Sequence, residues 1–161
     1  MNISAKSLIT VNISKQTLNF FSPGFKKSYF ISTSKHGTGQ IKDSGKTPLG
    51  KHVIYEKIGN KMPINSIFVG RVFNLIIYND ALKHNKTDWI LTRILWLEGI
   101  ESGFNCGGIV DTKNRYIYIH GTPYEDQLGR PSSAGCIRMA NQDVIELFNN
   151  AQINTEVDIV P

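Results

Sequence analysis

Cysteine is scarce in this chain. Only Cys106 and Cys136 occur among 161 residues, so a disulfide-stapled scaffold is excluded, and neither their spacing nor the expected compartment favours a single bridge. Long apolar runs are missing too. Leu75-Ile76-Ile77-Tyr78 is four residues long, far short of the roughly 20 that a membrane-crossing helix needs. The stretch from Met1 to Thr10 holds Asn2, Ser4, Lys6 and Ser7 and lacks the apolar segment of about seven or more residues that an export signal requires. As written, the chain is expected to be cytoplasmic; removal of an upstream signal would make it periplasmic. No internal repeat, low-complexity tract or Pro/Ser-rich linker interrupts residues 1–161, which read as a single domain. The net charge is only +5, and the lysines, Lys26-Lys27 included, are scattered as on a solvated surface. No basic stripe with interleaved aromatics appears, so nucleic acid is not an expected partner. A mildly positive field does suit carboxylate-bearing substrates. With 40% apolar residues, the chain has the composition of a globular protein.

Chemistry concentrates late in the chain. Ile119-His120-Gly121-Thr122 and Ser133-Ala134-Gly135-Cys136-Ile137-Arg138-Met139 place a histidine and a cysteine sixteen positions apart, each beside a glycine. A thiol is a strong nucleophile only as thiolate, and a neighbouring imidazole is a common way to generate one near neutral pH. The pattern points to a cysteine acyl-transfer enzyme. Tyr116-Ile117-Tyr118-Ile119 is aromatic and β-branched, the composition of a strand. Alternation puts Tyr116, Tyr118 and His120 on one face, with His120 at the strand's end, where Gly121 lets the chain turn and leaves the ring approachable. Thr122 to Arg130 is polar and, with Pro123, Gly129 and Pro131 as breakers, reads as an exposed loop. Asn141 is a plausible N-cap, Asp143 lies in the first turn, and Val144, Ile145, Leu147 and Phe148 recur at helical spacing, so a helix is expected over about 141–150.

This region resembles the catalytic domain of the L,D-transpeptidases, the YkuD family. That family has a histidine followed by glycine or serine, then a Ser-x-Gly-Cys-x-Arg/Asn element; His120-Gly121-Thr122 and Ser133 to Arg138 match it. Upstream, Lys46-Thr47-Pro48-Leu49-Gly50 looks like the family's Thr-Pro-x-Gly turn, and Leu8 to Phe21 is similar to its first hairpin. One departure stands out. The commonest family form has a second histidine just before Gly-Cys, where this chain has Ala134. The resemblance implies a mainly β fold: an antiparallel β-sandwich or partly closed barrel with one or two short helices. It also implies Cys136 as nucleophile, His120 as proton donor and acceptor, and the Gly121 carbonyl orienting the imidazole. Gly135, Ser133, Arg138 and Tyr118 would serve the oxyanion or the substrate. The implied substrates are peptidoglycan stem peptides or muropeptides, and carbapenem-type inhibitors would acylate the thiol. Passing the acyl group to an amine makes a transpeptidase; passing it to water makes an L,D-carboxypeptidase, which fits muropeptide recycling in the cytosol. No cofactor is implied, and no membrane partner.

Each of these residues also has a plainer reading. His120 could be a buried histidine bonded to a backbone carbonyl, although its spacing to Cys136 favours catalysis. Arg138 could hold its loop through backbone carbonyls or bind a substrate carboxylate through its planar fork. Tyr118 could line the acyl site or pack across strands. Trp89 and Trp96 read as core, and His36, His52 and His84 as surface or structural. Cys106 reads as an incidental thiol, and a zinc site of His120, Cys106 and Cys136 would lack paired ligands at short spacing. Thr47-Pro48-Leu49-Gly50 is most simply a turn. A protein of another class, a non-catalytic wall-binding or interaction module that keeps the motif as scaffold, is the remaining alternative.

The rest reads as strands: Leu8 to Ile13 and Leu18 to Phe21 as a hairpin, then Lys27 to Thr33, Gly50 to Ile58 and Thr155 to Val160. Pattern alone leaves Arg71 to Tyr78 and Ile90 to Leu97 open between strand and helix, and the resemblance favours strand for both.

Overall fold

In a computed structural model that describes residues 6–83 and 87–161, apolar/polar alternation translates directly into strands. They are β1 (Leu8–Asn12), β2 (Thr17–Ser22), β3 (Phe25–Ser32), β4 (Gly50–Ile58) and β5 (Ser66–Val69), followed by β6 (Val72–Ile77), β7 (Ile90–Gly99), β8 (Tyr118–Gly121), β9 (Ile137–Met139) and β10 (Glu156–Val160). Helix α1 spans Asn141–Asn150. His84 lies outside the described residues.

Lateral pairing runs β4-β10-β1-β2-β3-β9-β8-β7, and β7 pairs again with β4, so eight strands close into a barrel. The expected mainly β fold is present, and its closure is complete. Most pairs are antiparallel; β1/β10 and β8/β9 are parallel. β7 is long enough to serve two neighbours along one edge. Its first residues pair with β5, and Ile94 to Gly99 pair with β4, so the β5–β6 hairpin branches off the barrel wall. An eight-stranded barrel encloses just enough space for side chains to fill. Ile9, Val11, Leu18, Phe20, Ile31 and Ile137 belong to that core. Val144, Leu147 and Phe148 of α1 join the same cluster, at the i, i+3, i+4 positions that the helical spacing predicts.

Two local expectations need correction. The strand before His120 begins at Tyr118, because Tyr116 takes a left-handed conformation (φ +56°) that breaks the alternation and leaves it half exposed. The N-cap of α1 is Ala140, not Asn141; the Asn141 N–H donates instead to Glu125 Oε1 at 2.8 Å, so a carboxylate from the preceding loop sits at the helix's positive end.

Candidate active site

Parallel pairing of β8 with β9 brings the two motifs together. Ile119 faces Ile137, His120 faces Arg138, and Gly121 faces Met139. Cys136, one residue ahead of β9, therefore lies beside the start of β8. The Tyr118 N–H donates to its Sγ at 3.4 Å, and Sγ in turn contacts the Tyr116 carbonyl at 3.5 Å. Two residues along the same strand face stands His120. Its ring is wholly buried, which corrects the expectation of an approachable imidazole at a turn.

The histidine's tautomer follows from its partner. Nδ1 lies 2.7 Å from the Gly121 carbonyl oxygen, which can only accept, so Nδ1 carries the proton. Nε2 is left with a lone pair, buried and without a hydrogen-bond partner among the described residues. Burial lowers the imidazole's pKa, against the raising influence of Asp88 and the Gly121 carbonyl, so the ring is neutral near pH 7. Burial also dominates at the thiol, which is pushed up to about 12; the Tyr118 N–H, Arg138 and Arg115 offset this only in part. Cys136 itself remains half-buried rather than sealed. The resting pair is thus a neutral thiol and a neutral base.

Gly121 is a glycine for a reason other than turning. A Cβ there would collide with Asn141 Oδ1 and lie 2.7 Å from the Leu91 carbonyl oxygen. Opposite it β7 bulges: Leu91 pairs with Gly121 and Ile94 with His120, leaving Thr92 and Arg93 looped out. Thr92 is forced to φ +74°, an outlier for a β-branched residue, and such bulges cluster beside active sites. Its hydroxyl donates to Asn141 Oδ1 at 2.6 Å, and Asn141 Nδ2 donates to the Thr122 carbonyl at 2.8 Å. This buried network packs directly behind the histidine's partner.

A second support holds the cysteine loop. Thr47, fully buried, donates from Oγ1 to the Gly135 carbonyl at 2.9 Å and accepts from the Ser34 N–H at 3.0 Å. The Thr-Pro segment is therefore a clamp on the Cys136 loop as well as a turn. Gly135 needs its glycine, at φ +136°. Ser133 points inward, donating to the Cys136 carbonyl at 2.6 Å and accepting from the Gly135 N–H at 3.2 Å. That N–H is thus already engaged, and Ser133 braces the cysteine loop from a position that also lines a neighbouring cleft. Arg138 forms an ion pair with Asp88 and lies within 3.4–3.5 Å of the Ser132 carbonyl, Ser132 Oγ and Gln127 Oε1. Tyr118 does pack across strands, with its ring edge-on to its register partner Trp96 at 6.0 Å, while its backbone touches the sulfur. Two clefts flank Ala134: one of about 260 Å³ carries Lys42, Lys46 and Arg115, and one of about 380 Å³ carries Lys35, Asp88 and Arg138.

Of the remaining histidines, His36 is exposed, and His52 is buried between the Gly50 carbonyl and the Thr112 hydroxyl. Sequence reasoning had no signal for Asn141, Thr92 or Asp88 at this site. Thr47 could have been suspected, since a threonine before a proline has a hydroxyl free to bond elsewhere.

The family model for YkuD, the L,D-transpeptidase catalytic domain, matches residues 6–159. A Bacillus subtilis (strain 168) protein named as L,D-transpeptidase YqjB is 42% identical over 55 residues, which cover 34% of this chain and 30% of that protein. Among solved structures, LD transpeptidase LdtMt1 in complex with imipenem is 17% identical at a TM-score of 0.58, covering 96% of this chain and 58% of that one. L,D-transpeptidase 3 from Mycobacterium tuberculosis, in complex with a faropenem-derived adduct, is 15% identical at a TM-score of 0.58, over 96% and 60%. The matches therefore span about a third of the curated relative and about three fifths of the solved chains. At such identity the solved structures speak for the fold alone. With the domain model matching nearly its whole length, the chain belongs to the YkuD family of L,D-transpeptidase catalytic domains.

Proposed function

We propose that this chain is a peptidoglycan-acting cysteine acyltransferase that forms a thioester on Cys136 with a tetrapeptide stem, releases D-alanine, and passes the acyl group to an amine. The observation that carries this reading is the Nε2 lone pair of His120, unpartnered among the described residues and fixed by the Gly121 carbonyl, on the strand whose Tyr118 N–H holds the Cys136 sulfur. His120 Nε2 takes the thiol proton as Sγ attacks the peptide carbonyl. A backbone N–H facing the sulfur, that of Tyr118, stands where negative charge moves off sulfur and onto oxygen. Collapse breaks the C–N bond, and His120 returns its proton to the departing amine. His120 then deprotonates the acceptor amine, which attacks the thioester and regenerates the thiol. A thiol at about 12 beside a neutral imidazole fits proton transfer coupled to attack, not a standing ion pair. The orienting group is a backbone carbonyl, so an acidic third member is not required.

Water in the acceptor's place would use the same residues and give an L,D-carboxypeptidase, so the products decide. Incubating the protein with a disaccharide-tetrapeptide and resolving products by mass is expected to show a Cys136 thioester and a cross-linked dimer; tripeptide plus D-alanine alone would assign the hydrolytic outcome. His120→Ala is expected to lower turnover by about 10²–10⁴. Imipenem is bound by one solved relative, and the same compound is expected to leave a mass adduct here that Cys136→Ser abolishes. Absence of product, thioester and adduct together would favour an inert binding module.

A further inference from the structure

We infer that Arg71, at the tip of the β5–β6 hairpin, is the residue that recognises a carboxylate of the acyl substrate; this rests on the acyltransferase reading above. Val69 pairs with Val72, so Gly70 and Arg71 form a two-residue turn, and both have positive φ (+53° and +67°). Turns of this type favour glycine or asparagine at the second position, and an arginine there carries a backbone penalty that hairpin formation does not require. Sites that retain such strain are candidates for function.

The guanidinium lies over two aromatic rings, its carbon 4.7 Å from the centre of Trp96 and 4.9 Å from that of Tyr116, and its Nη1 donates to Tyr118 Oη at 3.0 Å. All three aromatics belong to the wall around the nucleophile: Tyr118 donates its N–H to Sγ, Tyr116 offers its carbonyl to Sγ, and Trp96 packs in the same cluster as Cys136. A positive fork is thus pinned one tyrosine's length from the sulfur. Its other N–H groups have no hydrogen-bond partner among the described residues. Glu56 is near enough to favour the charge and forms no ion pair with it there. A residue that only latched the hairpin would have its donors engaged by protein. This one is oriented by stacking and by one neutral hydroxyl, which leaves a planar donor edge of the kind that binds carboxylates in bidentate fashion.

A tetrapeptide stem ends in the carboxylate of its leaving residue, and a dicarboxylic diamino acid at the preceding position adds a second carboxylate close to the attacked bond. The test uses a tetrapeptide stem with both acids free and two versions in which one or the other is an amide. Arg71→Met is expected to raise KM about 10- to 100-fold on the free acid, with a smaller change in kcat, and Arg71→Lys to recover part of the loss. On one of the two amides the wild-type KM should rise to meet that of Arg71→Met, which names the carboxylate. An unchanged KM in Arg71→Met, or a deficit of the same size on both amides, would overturn the inference. Thermal unfolding of each variant separates binding from folding, and Arg71→Lys is read alone if Arg71→Met unfolds. A wild-type protein that forms no thioester would instead overturn the catalytic reading and this inference with it.

Discussion

On the proposed mechanism, Cys136 and His120 divide the catalytic work by their surroundings as much as by their chemistry. Burial holds the thiol at about 12 and keeps the imidazole neutral, so thiolate is rare in the free protein. Alkylation of Cys136 by iodoacetamide should therefore climb about tenfold per pH unit from 7 to 10 with no plateau, measured by mass against Cys136→Ser. A plateau near pH 7 would mean a preformed ion pair. Beside the sulfur, Gly135 occupies φ +136°, and a Cβ there would meet nothing closer than 3.6 Å. Gly135→Ala should thus cost about 1–3 kcal/mol through torsion rather than collision, visible as a lower urea midpoint. The cysteine–histidine pair was legible in sequence because two short motifs carry it. The supports were not: Thr47 meets Gly135 across 88 positions, and Thr92 meets Asn141 across 49, distances at which no local pattern operates.

Strands and the helix were read where periodicity is strong. β4 matches Gly50 to Ile58, and α1 matches the expected 141–150. β5 escaped notice because four residues between Asn65 and Gly70 are too few to show alternation, and it is the element that joins the Arg71 hairpin to the barrel. Tyr116 looked like strand by composition, yet a single positive φ places it in the turn before β8. By composition the segment around Thr47 is a turn, and its buried hydroxyl also ties it to the cysteine loop. Thr47→Val should leave the Gly135 carbonyl and the Ser34 N–H unpaired, lowering stability by about 1–3 kcal/mol and kcat more than KM, with Thr47→Ser restoring both. β6 is a sheet edge that exposes Val72, Leu75 and Ile76. Leu75→Lys is expected to change stability by no more than about 0.5 kcal/mol while reducing self-association in light scattering.

Barrel closure is a property of the whole chain, and sequence patterning could not reach it. It depends on β4 meeting β7 across the middle of the chain and on β10 returning in parallel beside β1, which brings residues near opposite ends of the chain into register. β4 also carries His52 at this seam, wholly buried and held near pKa 4 by desolvation against the Gly50 carbonyl and Glu101. An unfolded histidine titrates near 6.5, so between about pH 6.5 and 4 the unfolded chain binds more protons than the folded one. Stability is then fully present above 6.5 and falls by about 3 kcal/mol as the pH drops to 4. Urea midpoints across that range should fall steeply in the wild type and less so in His52→Gln. The forked pairing of β7 carries a last consequence. Because β5 and β4 share one edge of that strand without overlapping, the side hairpin is a graft on a finished cylinder. It can be lengthened, shortened or exchanged without reopening the staves, so the feature that chooses the guest is free to change independently of the machinery that acts on it.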